Sequence, residues 1–330
     1  SWNFGCGKSW MVSIKMISVV MTAYNAERYV RHSLESVLIQ SDQDFECIVV
    51  DDGSTDYTAQ IMASYCSNDK RFQYHHRPND RLPGGNAARN YGFELSKGKY
   101  IQWFDSDDIM LPELLSEKMK LFLEFKKPLD YILCGFSTFG NKKNTLKRYN
   151  LGVINDGVNT LFKNKVTFNL QSFLFKRETV KNFVFNEKLK RAQDLDFIFR
   201  VLQTAFAGYN ISKSLVLIRE HEKSITKRFY KMNREDIESE LIVRKNILNY
   251  FNNTNDNNNY DRALGQYLVQ LKKAFKVSWS YGVRKINGIE SLSLTTKFKY
   301  GIIISGANYS YKMYMHFKKI TNNLKNIEDE

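Results

Sequence analysis

Asp105, Ser106, Asp107 and Asp108 follow directly on the apolar run Tyr100-Ile101-Gln102-Trp103-Phe104. Three carboxylates at the end of a buried strand repel one another, and a divalent cation relieves that repulsion. Hard oxygen ligands of this kind suit Mg²⁺ or Mn²⁺. The same residues also make an acidic turn able to cap a helix opening near Pro112. Asp51-Asp52-Gly53-Ser54 ends a second apolar run, Phe45 to Val50. It offers a carboxylate to an imide N–H such as that of uracil, or to a ribose hydroxyl; equally it is a turn with Gly53 at positive φ.

Three further positions join these. Gly84-Gly85 permits a tight entry into a helix with Arg89 near its first turns, where a cation faces a diphosphate or simply sits in solvent. The stretch has neither GxGxxG nor GxxxxGK[ST] spacing. Asp194 stands at the amino end of a helix whose apolar positions are Leu195, Ile198, Val201 and Leu202; the helix dipole favours its ionised form, as it would for a plain cap. Asp196 is exposed or paired with Arg200 one turn on. His221 follows a strand and by itself is as much a surface or core residue as a ligand.

The elements that must hold these residues read as alternating strand and helix. Ile17 to Thr22 is a strand, followed by a helical face of Tyr29, Val30, Leu34, Val37 and Leu38. Strands then fall at Phe45 to Val50, Arg71 to Arg77 and Tyr100 to Phe104, with a helix capped by Ser54 or Thr55, another at Asn86 to Leu95, and a third opened by Pro112. This alternation implies an α/β fold, a mainly parallel sheet with helices on both faces, whose ligands gather at the carboxyl ends of the strands. Thr22 to Asn25, Asp51 to Ser54 and Asp105 to Asp108 would therefore converge on one edge. Past Asp130 come strands at Tyr131 to Phe139, Phe168 to Phe175 and Ser214 to Arg219, a helix at Asp194 to Ala205, and a helical region from Asn233 broken by the polar loop Asn252 to Asn259.

The bulk properties set limits. The 330 residues are 43% hydrophobic with 4 Pro and 4 Cys, which excludes disorder, collagen and a disulfide scaffold. Cys6, Cys47, Cys66 and Cys134 lack metal spacing and read as reduced thiols. No apolar stretch reaches the ~18 residues a membrane-spanning helix needs. Ser1 to Lys15 is a poor signal peptide and reads as a leader or vector-derived segment. A net charge of +14 calls for an anionic partner: nucleic acid, an acidic membrane surface or a phosphate-bearing small molecule.

Taken in order, five motifs resemble those of a family-2 glycosyltransferase of the GT-A fold, over about Met16 to Arg228: Val20 to Asn25, Val50 to Asp56, Gly85 to Gly92, Trp103 to Asp108, and Ala192 to Asp196. The resemblance implies a catalytic domain over 16–230, its nucleotide-binding half 16–110 and its acceptor half 111–230; outside it, 231–330 reads as a basic, aromatic-rich helical extension. It implies that Thr22, Tyr24 and Glu27 line a nucleoside pocket, that Asp52 with Asp51 meets the base, and that Arg89 sits near the diphosphate. Asp107 would ligate Mn²⁺ or Mg²⁺ directly, Asp105 would meet the ribose or a metal-bound water, and His221 would complete the metal site. Asp194 would be the general base. The family commonly has Pro where this chain has Thr22-Ala23, and Glu where it has Gln193, so the base role falls on Asp194 alone.

The implied activity is an inverting, metal-dependent transfer of one sugar from a nucleotide-diphosphate donor, most commonly a UDP-sugar, to a hydroxyl acceptor such as a glycan or lipid-linked glycan. Bacterial surface or capsular polysaccharide or lipopolysaccharide synthesis is the implied setting. A processive synthase would carry a QxxRW-type motif and spanning helices, and neither is present. The alternative is a metal-dependent nucleotidyltransferase or phosphatase using the same acidic cluster, and a phosphatase of the DxD nucleophile type would want that motif after the first strand. A nucleic-acid partner has no RNP motif or zinc spacing to support it. Between Asn257 and Lys325 twelve lysines and arginines face two acids, a net +10 interleaved with aromatics. This is either a helical cap with a solvated basic face or a surface for an anionic bilayer, consistent with a cytoplasmic enzyme peripheral on the inner face of the cell membrane.

Overall fold

The computed structural model describes residues 15–140, 145–147, 150–162, 169–205, 207–221, 233–277, 282 and 285. The expected leader, except Lys15, and the basic aromatic tail beyond Val277, except Gly282 and Lys285, lie outside the described residues, as do Cys6 and Phe168. Cys47, Cys66 and Cys134 are free thiols.

The strands are β1 (Ile17–Ala23), β2 (Phe45–Asp51), β3 (Phe72–His76), β4 (Tyr100–Asp105), β5 (Ile109–Met110), β6 (Tyr131–Phe139), β7 (Leu146–Lys147), β8 (Gly152–Ile154), β9 (Phe173–Lys176) and β10 (Gly208–Arg219). They form one sheet in the order β3-β2-β1-β4-β9-β6-β10-β5, with β7 on β6 and β8 on β10. The β3-β2-β1-β4 half is parallel throughout. Its central strands read as continuous apolar runs because both faces are covered. The other half mixes directions: β9 runs antiparallel to β4 and β6, whereas β10 runs parallel to β6.

Register decides where the polar ends fall. Ala23 pairs with Asp51 and Thr22 with Asp105, so the carboxyl ends of β1, β2 and β4 are level. On the far side, Val216 and Leu217 of β10 pair with Met110 and Ile109. That antiparallel clip brings the end of β10, and His221 just beyond it, back to the acidic loop between β4 and β5.

The helices between these strands are α1 (Val30–Leu38), α2 (Thr58–Asn68), α3 (Gly85–Leu95), α4 (Leu114–Glu124), α5 (Gly157–Phe162), α6 (Arg177–Val180) and α7 (Gln193–Leu202). α1 buries Val30, Leu34 and Val37 as its periodicity predicts. Two expected starts differ. Neither Ser54 nor Thr55 caps α2: Tyr57 holds the capping position without a side-chain bond, Asp56 just before it accepts the Thr58 N–H at 3.0 Å, and the Ser54 hydroxyl is committed to Asp51 at 2.6 Å. Pro112 stands two residues before α4 rather than inside its first turn, since β5 intervenes after the acidic loop. The acidic loop therefore caps no helix there. In α3, Gly92 lies against the sheet: a Cβ would come 2.5 Å from Val20 Cγ1, so close helix–strand packing requires glycine.

The described residues fall into two compact units, within Ser1–Leu189 and Gln193–Phe229, and within Lys190–Ala192 and Tyr230–Glu330. In the second, α8 (Arg234–Asn253) and α9 (Asn257–Val277) pack together, and Ile237, Leu241, Leu248, Phe251, Leu264, Tyr267 and Leu271 are buried. Asn233 caps α8 by accepting the Asp236 N–H at 2.8 Å. No helix among the described residues is long and apolar enough to cross a membrane.

Candidate active site

The loops after β1 and β2 interlock. Asn25, at φ 46°, donates its N–H to Ser54 Oγ at 2.8 Å, and its side-chain oxygen accepts the Thr55 N–H at 2.8 Å. Glu27 extends the clasp, accepting the Tyr57 N–H at 3.0 Å while its own N–H donates to Asp56 Oδ2 at 3.1 Å. Thr22 is half-buried at the end of β1, and Tyr24 is exposed.

Asp51 and Asp52 divide their work. Asp51 is 1% exposed and accepts from Ser54 N–H, Ser54 Oγ and the Tyr74 hydroxyl, the last at 2.6 Å. Burial and then the Asp51 hydrogen bond push the Tyr74 phenol up. Asp51 thus braces the loop. Asp52 Oδ1 accepts from Arg77 Nε at 2.5 Å and from the Gly84 N–H at 2.9 Å, and no other described residue bonds to Oδ2. Arg77 also donates to the Pro78 and Arg81 carbonyls at 2.9 and 2.6 Å. It fixes both Asp52 and the turn that leads into α3.

The acidic loop is wired residue by residue. Asp108, 3% exposed, accepts the Arg219 N–H at 2.8 Å on Oδ1 and Gln171 Nε2 at 3.0 Å on Oδ2. Its carbonyl accepts from Ser33 Oγ at 2.7 Å. Asp105 accepts Arg89 Nη2 at 2.9 Å on Oδ1 and Gln171 Nε2 on Oδ2. Asp107 Oδ2 lies 2.9 Å from His221 Nε2, and the Asp107 carbonyl accepts from Arg219 Nε at 2.9 Å. Tyr29 packs on the His221 ring at 4.9 Å and under the Arg219 guanidinium at 4.7 Å. Asp107 Oδ1 is bonded by no other described residue. Burial, then the charge of Asp105, pushes the Asp107 carboxyl up; burial, Asp107 and Asp105 push Asp108 up well above the usual range.

Arg89 and Asp194 face this cluster. Burial works against the Arg89 charge, but Asp105 and Asp194 hold its guanidinium above its ordinary range. Asp194 is pushed up by burial, a rise that Asp105 reinforces and Arg89 opposes. A carboxylate whose basicity burial raises is suited to accepting a proton. Ala192, two residues earlier, takes φ 58°, a left-handed conformation that strains a non-glycine residue and turns the chain into α7. Asp196 is buried and paired with Arg200 at 2.8 Å, so it is the pairing, not exposure, that the structure realises.

Asp105, Asp107 and Asp108 each offer a carboxylate oxygen within 4.8 Å of the others. Their mutual repulsion and all-oxygen character fit a hard divalent cation. Asp107 would hold it through Oδ1, with His221 Nε2 adjacent and Asp105 next to it; Asp108, with both oxygens committed, supports the loop. Sequence reasoning missed Arg77, Gln171, Arg219 and Tyr29. Arg77 and Arg219 sit at strand ends, the places where the other site residues were sought, and Gln171 is a polar residue inside the apolar run Leu170 to Phe175.

Comparisons with known proteins bear on the family and the fold. The family described as "Glycosyl transferase family 2" matches residues 18–189. An uncharacterized glycosyltransferase of Methanocaldococcus jannaschii is 32% identical over 211 residues, spanning 62% of this chain and 70% of that protein. The uncharacterized glycosyltransferase EpsJ of Bacillus subtilis is 26% identical over 235 residues, spanning 66% of this chain and 65% of its own length. Among solved structures, S. aureus TarS 1-349 superposes with a TM-score of 0.61 at 19% identity, over 88% of this chain and 81% of that one. The same TarS fragment in complex with UDP-GlcNAc gives 0.60 at 18% identity, over 88% of this chain and 82% of that one.

Proposed function

This chain belongs to glycosyl transferase family 2, and we propose that it is an inverting, metal-dependent enzyme that moves one sugar from a nucleotide-diphosphate donor to an acceptor hydroxyl. The observation that carries this reading is the convergence of Asp107 and His221, Arg89 with Asp105, and Asp194 at one edge of the sheet. TarS, which shares the fold, has been crystallised with UDP and with UDP-GlcNAc, which supports a UDP-sugar as donor.

In this reading Asp52 Oδ2 accepts from the base, with Thr22, Tyr24 and Glu27 around the nucleoside and Asp51 bracing the loop. Asp105 meets the ribose side. Asp107 and His221 would hold Mn²⁺ or Mg²⁺, which would supply charge neutralisation for the diphosphate leaving group. Arg89 adds a fixed positive charge where leaving-group charge develops. Asp194 takes the proton of the acceptor hydroxyl as that oxygen attacks the anomeric carbon from the face opposite the diphosphate, which inverts the centre in one displacement.

The catalytic domain is 16–230, with 231–330 as an extension whose basic, aromatic-rich tail reaches an anionic membrane surface and a lipid-linked or other glycan acceptor. Bacterial surface polysaccharide synthesis is the setting this combination suits. The test is incubation with a panel of nucleotide sugars and Mn²⁺: consumption of at least one donor with release of its nucleoside diphosphate is expected. No turnover or binding of any donor would overturn the reading.

A further inference from the structure

We propose that Gln171 is a positioning residue for the acidic cluster, its side-chain amide holding Asp105 and Asp108 so that Asp107 alone presents an uncommitted oxygen to the metal. The proposal rests on the metal-dependent donor site proposed above. Gln171 is 4% exposed in the 3₁₀ turn Leu170–Ser172, and its own N–H is pinned by Asn169 Oδ1 at 3.1 Å. Its Nε2 spends both hydrogens on carboxylates, one on Asp105 Oδ2 and one on Asp108 Oδ2. Two groups that repel each other are thereby tied to one donor, which sets their separation before any cation arrives.

The orientation of that amide follows from its surroundings. Gln171 Oε1 is buried without a hydrogen-bond partner, so nothing on the oxygen side fixes it. The opposite orientation would set Oε1 against two carboxylates, a repulsive contact for a side chain that is itself buried. A glutamate there would add a negative charge, and an asparagine would fall short by one methylene.

Behind Gln171 stands a relay with no solvent contact. The Gln171 carbonyl accepts from Gln102 Nε2 at 2.8 Å, whose second hydrogen goes to the Trp103 carbonyl at 3.0 Å. Gln102 Oε1 accepts from Lys118 Nζ at 2.8 Å, and both residues are 0% exposed. A lysine is almost never fully buried unless paired. Here it locks the Gln102 amide, which locks the Gln171 backbone. Outer partners of metal ligands commonly change metal affinity by about 10–100-fold.

The test measures Mn²⁺ binding directly, by electron paramagnetic resonance of free Mn²⁺ during titration of the full chain in the presence of UDP and without acceptor. Wild type, Gln171→Leu, Gln171→Asn and Lys118→Met are compared, with thermal melting of each metal-free protein recorded alongside. The expected result is Mn²⁺ affinity weaker by about tenfold or more in both Gln171 variants and weakened in the same direction, by less, in Lys118→Met. The far-ultraviolet spectrum should stay as in wild type. Should Gln171→Leu fail to fold, Gln171→Asn and Lys118→Met decide by the same ratios. Wild type that binds Mn²⁺ with UDP, alongside folded variants within about twofold of it, overturns the proposal alone. Wild type that binds no Mn²⁺ with UDP overturns the metal-dependent reading and this inference with it.

Discussion

Asn90 grips the backbone of Phe185 from both sides: its Nδ2 donates to the Phe185 carbonyl at 3.0 Å, and its Oδ1 accepts the Phe185 N–H at 2.8 Å. The neighbouring Asn86 donates to the carbonyls of Asn186 and Leu189 at 2.8 and 3.2 Å. The helix that carries Arg89 is thereby fastened to the segment that precedes Asp194. Arg89 also lies over the Phe185 ring at 5.6 Å.

Asn90→Ala would leave a buried N–H and a buried carbonyl unpaired, a loss of about 1–3 kcal/mol for each group. Chemical denaturation should register that loss. The transfer rate should fall more than UDP affinity does, because the clamp joins the segment leading to the proposed base Asp194 to the helix that carries Arg89.

Asp194→Asn should leave UDP binding as in wild type and lower transfer by about 10²–10⁴-fold. Because burial pushes the Asp194 carboxyl up, its deprotonated form is lost at a higher pH than an ordinary aspartate's. The acid limb of kcat/KM for the wild-type enzyme should therefore lie above the usual carboxylate range. Full turnover by the variant, measured as nucleoside diphosphate release, would assign the base elsewhere.

Arg89→Lys keeps the charge but loses the planar fork that reaches Asp105 Oδ1. Affinity for UDP should fall by about tenfold while affinity for uridine is unchanged. Parallel calorimetric titrations with the two ligands check this. Equal loss for both would place Arg89 at the nucleoside rather than the diphosphate.

Lys118 supplies a pH signature of stability. Burial lowers its ammonium from 10.5 to about 8. Between those values the unfolded chain binds the extra proton, so wild-type stability from this group rises with pH across that window and is lowest below it. Relative to Lys118→Met, wild type should gain roughly 1–2 kcal/mol between pH 8 and pH 10 in urea unfolding. A constant difference between the two proteins would show that Lys118 does not titrate there.

How far the site was legible depends on whether a residue's role is local. Asp51 and Asp105 were visible because a strand buried on both faces reads as an apolar run, and its first carboxylate marks the sheet edge. The level register of β1, β2 and β4 follows from parallel alternation, so their convergence could be argued before the structure. Gln171 could not, because its partners lie 66 and 63 residues away and meet it through the antiparallel β4–β9 pairing. Arg77 ended an expected strand, yet nothing local shows that it binds Asp52. Gly92 was quoted as a motif residue; its contact with Val20 gives the reason. The starts of α2 and α4 were misplaced because Ser54 and the acidic loop had tertiary commitments that outweigh capping preferences.

In the proposed function, Asp107 and its neighbours bind a nucleoside diphosphate through a divalent cation. Isothermal titration of UDP into the full chain, with Mn²⁺ and then with EDTA, tests it most directly when run on wild type and Asp107→Ala. Mn²⁺-dependent binding in wild type that is abolished by EDTA and by Asp107→Ala is the expected result. UDP binding that ignores EDTA, or that is as tight in Asp107→Ala with Mn²⁺ as in wild type, would contradict the account.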